Sequence, residues 1–527
     1  MAAICASVAL ALPSISPAAS RAAGTGAAAQ LQPLSATARA ATAHDATAHD
    51  AKATKASTPI VLVDLEHLAQ SKSITAAQYT HYRSVYTQAQ STLSRLTGTR
   101  HTELAAVLAN VTSMASAKEL VASRLPLLFL TIERNREWWS DDSLLSYGDR
   151  VSFPGSKLVW EYYTGQGIEL QWLGTFGEAN GYYLAGDENE ELRQVLDEAR
   201  ELVSSRAGGI AWEYMFQFDG GVPPWTSSLS QGTAIQAYSR AASRLHEPAF
   251  QKTAEEALGI FQTPPPTGVR VARKVNGRPA AEYMEYSFAP TDRILNGYIQ
   301  SLNGLYDFTK LTGSQTGLRL FEEGDTEART QVPKYNTGAW SMYDEYTESD
   351  LGYHELLAEF LSDLCGRTRE GEPLPAATTA PATTTQAGAG SGQASGGTTS
   401  GGAGSTAVAA AVTTQIPGDE IYCTTAEEFT ADVHTAPVIK LLSHRLPAES
   451  RAGVMFSLSK ISTVSLTVRK NGKVVWTNSA TVEGGTPRLL WNTPKGGGTY
   501  QLTASAVDLA GNTASTSGEV TLTTKGH

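Results

Sequence analysis

The chain has 527 residues, a formal net charge of −11 at pH 7 and a hydrophobic content of 41%. This length exceeds what one hydrophobic core normally uses, so we expect two or more domains. The acidic balance argues against binding to nucleic acid or to an anionic membrane surface. No uninterrupted apolar run is long enough to span a bilayer, so we expect no membrane span.

The first residues, 1–20, resemble a secretory signal peptide. An apolar stretch at 4–12 is followed by small residues at 18–20, although a basic beginning is missing. Residues 21–58 are rich in Ala and Thr and contain the repeat ATAHDATAHDA, which is typical of a disordered spacer. These patterns predict a protein that is secreted or held at the cell surface.

Helical periodicity dominates residues 59–370, which we expect to form one domain. The segment IVLVDL after Pro59 predicts a short strand or entry segment. Helices are predicted at 74–97, 102–115, 123–139, 168–184, 188–206, 227–245, 250–262, 291–313, 314–325 and 353–365. Repeated helical hairpins predict an α/α toroid, an incomplete barrel with a cleft at its loop-rich end. A helical solenoid is the alternative, but no repeat of fixed length supports it.

The C-terminal part changes from helical to alternating periodicity. Residues 371–416 are almost entirely Thr, Ala, Gly and Ser, which predicts a flexible linker. Residues 417–527 contain short alternating runs, with Asn471-Gly472 between two of them as a hairpin signal. This pattern resembles a bacterial immunoglobulin-like β-sandwich. We expect such a module to act as a spacer or a surface-binding appendage, without chemistry of its own.

The chain contains three cysteines, Cys5, Cys365 and Cys423. Their spacing matches no zinc site, and three residues are too few for a disulfide framework. Cys365 and Cys423 flank the predicted linker and could pair in an exported protein, but sequence gives no Cα distance. We expect free, unreactive thiols.

Phenols and carboxylates are concentrated in two segments, EYMEYSFAP beginning at Glu282 and the Tyr-rich segment 334–354. Packed cores seldom hold so many of these groups, because each buried hydroxyl or carboxylate needs a partner. A half-buried amphipathic surface explains the pattern as well as a site does. Phosphate-binding glycine loops, a G-x-S-x-G elbow and H-E-x-x-H are absent from the sequence. A carboxylate paired with a neutral phenol could remove a proton on one face of a substrate and return one on the other.

Three blocks in these regions resemble a known family. QGTAIQAYSRA, EYSFAPTDRILNGYIQSLNGLYDF, and YNTGAWSMYD followed by YHELLAEFL are similar to the C-terminal catalytic domain of D-glucuronyl C5-epimerases. The resemblance covers residues 212–364. It implies an incomplete α/α toroid and the conversion of D-glucuronate to L-iduronate within a polysaccharide.

The resemblance also implies roles for individual residues. Glu285 and Tyr353 match the pair that faces the sugar carbon C5 from opposite sides, Tyr286 would hold the developing charge, and Tyr343 would line the sugar site. The residues that we keep as candidates for substrate binding are Arg293, Trp225, Gln231, Arg240, Lys334 and His354. His354, as a lone histidine at a helix start, is more often a hydrogen-bonded structural residue than a base. We expect no cofactor and no catalytic metal; a structural calcium and a homodimer are implied by the family alone.

The chain also departs from the family pattern. The loop between Tyr343 and Tyr353 is shorter than in the animal enzymes, and an arginine after the Tyr-Asp pair is replaced. Acidic residues crowd this loop, which favours a less charged bacterial uronate polysaccharide over a heavily sulfated one. Three alternatives remain: a uronate lyase acting by β-elimination, a non-catalytic uronan-binding protein at the cell surface, and, less favoured, an α/α toroid glycosidase.

Overall fold

The computed structural model describes residues 58–369, 373–374, 414–415 and 420–524. The predicted signal peptide, nearly all of the predicted spacer and most of the predicted linker lie outside these residues. Within them, a helical region is followed by a β-rich region, as the change of periodicity predicts. The closure of the helices into a toroid and the immunoglobulin-like topology stay predictions.

Helices dominate the first region. They lie at Ile60–Gln70 (α1), Ala76–Leu93 (α2), Gly98–Ser116 (α3), Leu125–Asp141 (α4), Trp172–Ala185 (α5), Asn189–Glu201 (α6), Ser228–Leu245 (α7), Pro248–Ala257 (α8), Gly259–Gln262 (α9), Leu295–Thr312 (α10), Gln315–Gln331 (α11), Leu351–Thr368 (α12) and Glu420–Asp432 (α13). Short 3₁₀ turns occupy Ala122–Arg124 and Val332–Tyr335. Within the described ranges, every helix is too short or too polar to cross a bilayer.

Local sequence explains where several helices begin and end. The Thr75 hydroxyl and the Gln78 side chain form a reciprocal capping box at the start of α2. Gly186 and Gly313 follow α5 and α10 in the left-handed conformation, which glycine adopts without strain. Because these signals are local, the sequence predicts most helices well.

Helices α7 and α10 form the centre of the helical region and are buried on nearly all of their faces. They pack on each other, with α5 and α8 against α7 and with α11 and α12 against α10. Small residues let the two backbones touch: a Cβ atom on Gly232 would lie 2.7 Å from the Ser301 Cα, and one on Gly304 would overlap the Gly232 carbonyl. This close crossing brings the N-terminal ends of α7 and α10 together.

We expect Gly304→Ala to destabilise the protein by about 2 kcal/mol, because an overpacked backbone contact outweighs the better helix propensity of alanine. The matched control is Gly181→Ala in α5, where a Cβ atom meets nothing within 4 Å. That change should stabilise the fold by about 0.5–1 kcal/mol. Denaturant unfolding of both variants measures the difference; equal effects would show that the α7–α10 contact can relax.

Short antiparallel strands lie between the helices. They pair as Arg150–Val151 (β1), Trp160–Tyr163 (β2) and Gly167–Leu170 (β3), as Ser204–Arg206 (β4) with Gly209–Ala211 (β5), and as Arg270–Val275 (β6) with Arg278–Tyr283 (β7). Three predictions are wrong here. The helix predicted at 188–206 ends at Glu201, and residues 204–206 pair with β5 as strand β4. IVLVDL is the start of helix α1, because Val61 and Leu65 are buried at helical spacing. Residues 168–170 are strand, because they pair with β2.

The β-rich region has its own hydrophobic core. One sheet contains Ile439–Leu441 (β10), Arg451–Leu458 (β12) and Arg488–Asn492 (β15); the other has Arg445–Pro447 (β11), Thr513–Thr523 (β17), Gly498–Asp508 (β16), Ser462–Lys470 (β13) and Lys473–Val482 (β14) in that order. A two-residue pair, Pro373–Leu374 (β8) with Thr414–Gln415 (β9), precedes this region. Asn471 and Gly472 both have positive φ at the β13–β14 turn, as the hairpin signal predicts.

Helix α13 belongs to the helical core although we predicted alternating structure from residue 417. Its buried residues Tyr422, Ala426 and Phe429 pack with the helical region. Cys423 in α13 forms a disulfide with Cys365 in α12, their Cα atoms being 4.9 Å apart. The expectation of free thiols is therefore wrong, because the two helices pack side by side across a sequence separation of 58 residues.

Candidate active site

Glu285 lies where the loop after β7 meets the start of α7. Its backbone carbonyl accepts a hydrogen bond from the Ser228 N–H at 3.2 Å. The Ser227 hydroxyl, which also caps α7, donates to Glu285 Oε1 at 3.3 Å. Oε2 is buried without a hydrogen-bond partner in the described structure and faces Gly297 of α10, where any Cβ atom would collide with it. The crossing of α7 and α10 thus leaves Glu285 Oε2 without a hydrogen-bond partner among the described residues.

Burial dominates the electrostatics of Glu285. It raises the pKa to about 8, against the lowering effect of the Ser227 hydrogen bond, and the nearby Asp292 raises it further. A carboxyl with such a pKa is mostly protonated at neutral pH and becomes a competent base just above it. Acid–base chemistry is what this environment favours.

Tyr353 is positioned by the start of helix α12. Asp350 caps this helix by accepting the Tyr353 N–H at 2.8 Å, and Asn296 of α10 donates to the Tyr353 carbonyl at 3.0 Å. The pKa of its phenol is held well above 10, first by burial and then by the charges of neighbours that include Tyr343 and Glu285. Tyr353 is therefore a neutral proton donor in the same electrostatic neighbourhood as Glu285.

Tyr286 and Tyr343 join the two sides of the cluster. Their hydroxyls are hydrogen-bonded to each other, and the Tyr343 ring packs edge-on against Tyr353 with centroids 5.3 Å apart. The turn after Tyr343 is held by Asp344, whose carboxylate accepts the N–H groups of Tyr346 and Thr347 at 2.7 Å each. The four residues predicted as catalytic therefore lie in one buried cluster. Their catalytic roles stay predictions.

Trp225 supports this cluster from behind. Its indole stacks on Tyr214 at 4.3 Å and meets the edge of Tyr286 at 5.8 Å. The indole N–H donates to the Phe216 carbonyl at 2.8 Å, and the side chain is only 1% exposed. We therefore replace the expectation of a sugar contact by a packing role.

Gln231 and Arg240 are engaged elsewhere along α7. Gln231 is fully buried and donates to the Trp212 carbonyl at 2.9 Å. Arg240 forms an ion pair with Asp307 at 2.8 Å and lies roughly 20 Å along the helix from Ser227, at 1.5 Å per residue. The Gln231 amide N–H and the Arg240 guanidinium thus already serve the packing of α7, whereas Gln231 Oε1 is buried without a hydrogen-bond partner in the described part of the chain. Substrate binding by these two residues stays a prediction.

The other cations of the prediction are also occupied or remote. Arg293 contacts three carboxylates, those of Glu282 at 2.7 Å, Glu345 at 3.1 Å and Glu327 at 3.6 Å. Lys334 is exposed and donates to Gln331 at 3.2 Å. The guanidinium of Arg293 is thus neutralised within the protein, and its role as a partner of the substrate carboxylate stays a prediction.

His354 is a structural residue. It is fully buried, and its ring stacks on Trp340 with centroids 3.7 Å apart. Nε2 bonds to the Phe429 carbonyl of α13 at 2.9 Å, and Nδ1 accepts the Ser341 N–H at 3.1 Å. Burial lowers the pKa to about 4, so the ring is neutral at pH 7. The expectation of a sugar contact is wrong, because both ring nitrogens serve the fold.

The sequence analysis missed the wall that strand β2 contributes through Glu161, which is close enough to Tyr353 to help raise the pKa of that phenol. Trp160 and Tyr162 face the core with α4, so Glu161 and Tyr163 point to the opposite face. The Glu161 carboxylate is fully buried, lies 4.0 Å from Arg150 and has a pKa raised to about 7, chiefly by burial. Tyr162 and Tyr163 are both phenols although they lie on opposite faces of β2, so the pattern W-E-Y-Y does not indicate which of them faces the site.

Asp292 adds a further acid on the side of α10. Burial raises its pKa to about 6, with a contribution from Asp344. Among the described ranges, groups of three His, Cys, Asp or Glu side chains that could hold a metal ion are absent. The prediction of no cofactor and the implied structural calcium both stay untested predictions.

The helical scaffold holds a buried cluster of carboxyls and phenols whose raised pKa values suit acid–base chemistry. Residues 207–373, which contain all four predicted catalytic residues, match the family model for the D-glucuronyl C5-epimerase C-terminus. The sequence-based assignment is thereby confirmed at the level of the family for this segment.

Individual relatives match over limited lengths. A D-glucuronyl C5-epimerase of Caenorhabditis elegans is 29% identical over 134 residues, 23% of this chain and 21% of that protein. An uncharacterised protein of Methanocaldococcus jannaschii is 25% identical over 156 residues, 29% of this chain and 51% of that protein. The chain therefore spans no more than about half the length of either relative.

Two solved structures are similar only loosely. A sugar epimerase from a ruminal bacterium has a TM-score of 0.26 at 13% identity, covering 37% of this chain and 52% of that one. The endo-β-1,4-glucanase CMCax of Acetobacter xylinum has a TM-score of 0.28 at 15% identity, covering 42% and 75%. Neither score is high enough to carry an argument about this chain.

Proposed function

We propose that the protein is a uronate C5-epimerase that converts D-glucuronate to L-iduronate within a glucuronate-containing polysaccharide. One observation carries this proposal: Glu285 and Tyr353, distant in sequence and held by different elements, lie in a single buried cluster with Tyr286 and Tyr343. The match of residues 207–373 to the epimerase family supports it.

The chemistry needs one base and one acid on opposite faces of C5. The C5–H bond breaks, the proton passes to the ionised Glu285 carboxylate, and the electron pair is delocalised onto the uronate carboxylate. The neutral Tyr353 phenol then donates its proton to C5 from the opposite face, which inverts the configuration. Glu285 is left protonated and Tyr353 is left as a tyrosinate, and proton exchange with solvent restores both groups before the next turnover. Neutral phenols at Tyr286 and Tyr343 are suited to donate hydrogen bonds to the developing negative charge.

The charge around the cluster supports a weakly charged substrate. Glu161 and Asp344 are buried near the phenols, and Asp292 is half-buried. The Arg293 guanidinium is occupied by protein carboxylates. Sulfate groups would be repelled by such surroundings. We therefore propose a glucuronate polysaccharide of low sulfation as the substrate.

Location and assembly are part of the same proposal. The Cys365–Cys423 disulfide supports secretion or display at the cell surface, because disulfides persist in oxidising compartments. An incomplete α/α toroid, a homodimer and an immunoglobulin-like fold for the β-rich region are proposed from the family and the sequence pattern.

An isotope experiment tests the function. The protein is incubated in heavy water with a non-sulfated glucuronate polysaccharide, and NMR follows deuteration at C5 and the signals of iduronate. We expect both deuteration and iduronate, without the ultraviolet absorbance of an unsaturated sugar. Absorbance would identify the lyase alternative, since loss of the C4 oxygen competes from the same intermediate. Binding without deuteration would identify a uronan-binding protein.

A further inference from the structure

The β-rich region contacts the segment that carries Tyr343 and Tyr353. Glu348, between these two tyrosines, accepts the N–H of Gly484 at 2.8 Å. A Cβ atom at Gly484 would approach the Glu348 carboxylate to 2.9 Å, so glycine permits this contact. Asn512 of the same region donates to the Val433 carbonyl at the end of α13 at 2.8 Å. These hydrogen bonds hold the β-rich region against the helical region, whereas a freely tethered appendage would make no such specific contacts.

Lys460 lies at the centre of this contact. It sits in the turn between β12 and β13, is 1% exposed, and forms an ion pair with Asp508 at 2.7 Å. Its ammonium group also donates to the carbonyls of Asp432, at 2.6 Å, and Thr435. A buried ammonium group needs such compensation, because burial of an unpaired charge is costly.

From Lys460 a continuous series of contacts leads to Tyr353. The ammonium group lies 5.0 Å from the centre of the Trp340 ring, within the range of a cation–π interaction. Trp340 stacks on His354 at 3.7 Å, and its indole N–H donates to the Ser349 carbonyl at 2.9 Å. His354 directly follows Tyr353 and is held by α13 through the Phe429 carbonyl.

Glu285 is held independently of this series. Its contacts are with Ser227, Ser228 and Gly297 of the helical region. A disturbance at Lys460 should therefore move Tyr353 and Tyr343 relative to Glu285. Such a displacement is costly for catalysis, since misplacement by about 1 Å can lower a rate 100-fold.

We propose that Lys460 of the β-rich region is a positioning residue for Tyr353, so that this region is part of the catalytic apparatus. The inference rests on the proposed epimerase function, and it assigns the β-rich region a role beyond that of a spacer. Lys460 does not contact the reacting carbon; it acts through Trp340 and His354.

The test uses the full chain and the variant Lys460→Met, with Lys470→Met as the matched control. Lys470 also places its ammonium group over a ring, that of Tyr500 at 4.7 Å. It lies at the far end of β13, roughly 26 Å along the strand from Ser462, at about 3.3 Å per residue. The experiment is done in heavy water with the glucuronate polysaccharide. We expect Lys460→Met still to exchange the C5 proton for deuterium on the Glu285 face, with the configuration retained. We expect the variant to lose inversion at C5. The ratio of deuteration to inversion should rise at least tenfold, with KM changed less than threefold, and Lys470→Met should leave it unchanged.

A second variant tests the same inference in case Lys460→Met does not fold. Glu348→Ala removes the bond to Gly484 at a partly exposed position, and Glu355→Ala on the exposed side of α12 is its control. Glu348→Ala should raise the same ratio, and amides of residues 334–354 should exchange faster with solvent in both test variants. An unchanged ratio, or parallel loss of deuteration and inversion, overturns the inference. If the unaltered protein shows no deuteration at all, the proposed function itself fails and the inference falls with it.

Discussion

Glu285→Gln is expected to lower the rate of C5 deuteration and of inversion about 1,000-fold, because the amide cannot accept the proton and a general base contributes roughly 10²–10⁴ in rate. In the unaltered protein the rate should rise with pH up to about 8, since Glu285 has to lose its proton to act and its pKa is about 8. The heavy-water NMR experiment at several pH values measures both effects.

The same substitution is expected to stabilise the fold in alkaline solution. Between pH 4.5, the ordinary pKa of the group, and about 8, the unfolded chain loses the Glu285 proton whereas the folded protein keeps it. The stability of the unaltered protein therefore falls as the pH rises through this window, by several kcal/mol at about 1.4 kcal/mol per pH unit. Glutamine does not titrate, so the variant escapes this loss.

Denaturant unfolding at pH 5 and pH 8.5 checks this expectation. The stability difference between variant and unaltered protein should be small at pH 5 and should reach a few kcal/mol at pH 8.5. Glu355→Gln, at an exposed position of α12, is the control and should change neither stability nor rate. Retained exchange at C5, or equal differences at both pH values, would remove Glu285 from the site assignment.

The second large effect, on the rate of inversion at C5, is expected for Tyr353→Phe. Removing one oxygen abolishes the proton donor on its face, so we expect inversion to fall about 100- to 1,000-fold. Glu285 should still exchange the C5 proton for deuterium, with the configuration at C5 retained. The ring that packs against Tyr343 at 5.3 Å remains, so the variant should fold normally. Quantifying iduronate and C5 deuterium in the same sample separates the two steps.

Tyr335→Phe is the matched control for this phenol. The Tyr335 hydroxyl donates to the Arg293 carbonyl at 2.7 Å in the neighbouring part of the segment. Its removal should cost about 1 kcal/mol of stability and leave the ratio of deuteration to inversion unchanged. If Tyr353→Phe still inverts C5 at the rate of the unaltered protein, the assignment of the second acid is wrong.

Local signals predicted much of the fold and part of the site. Capping at Thr75, left-handed glycines after α5 and α10, and the Asn471-Gly472 turn act within a few residues, so they can be read from the chain alone. The Glu285-Tyr286 pair and the two later tyrosines were found because the blocks that contain them resemble a family in linear order.

Segments with a mixed pattern were predicted less well. IVLVDL has β-branched residues that favour a strand, yet burial of Val61 and Leu65 against the helical core decides for helix α1. Residues 168–170 fit a helical period, but pairing with β2 makes them strand. In both cases tertiary packing overrides local propensity.

The sequence by itself determined the order of helical and β-rich regions, most helix ends and the residue types of the site. Only the tertiary structure decided that Cys365 and Cys423 pair, that Arg293 and Arg240 are already neutralised, that Glu161 forms a wall of the site, and that Lys460 contacts the Tyr-rich segment. The physical reason is that pairing, burial and the sharing of charges depend on which distant segments are brought together, and no local pattern encodes those distances.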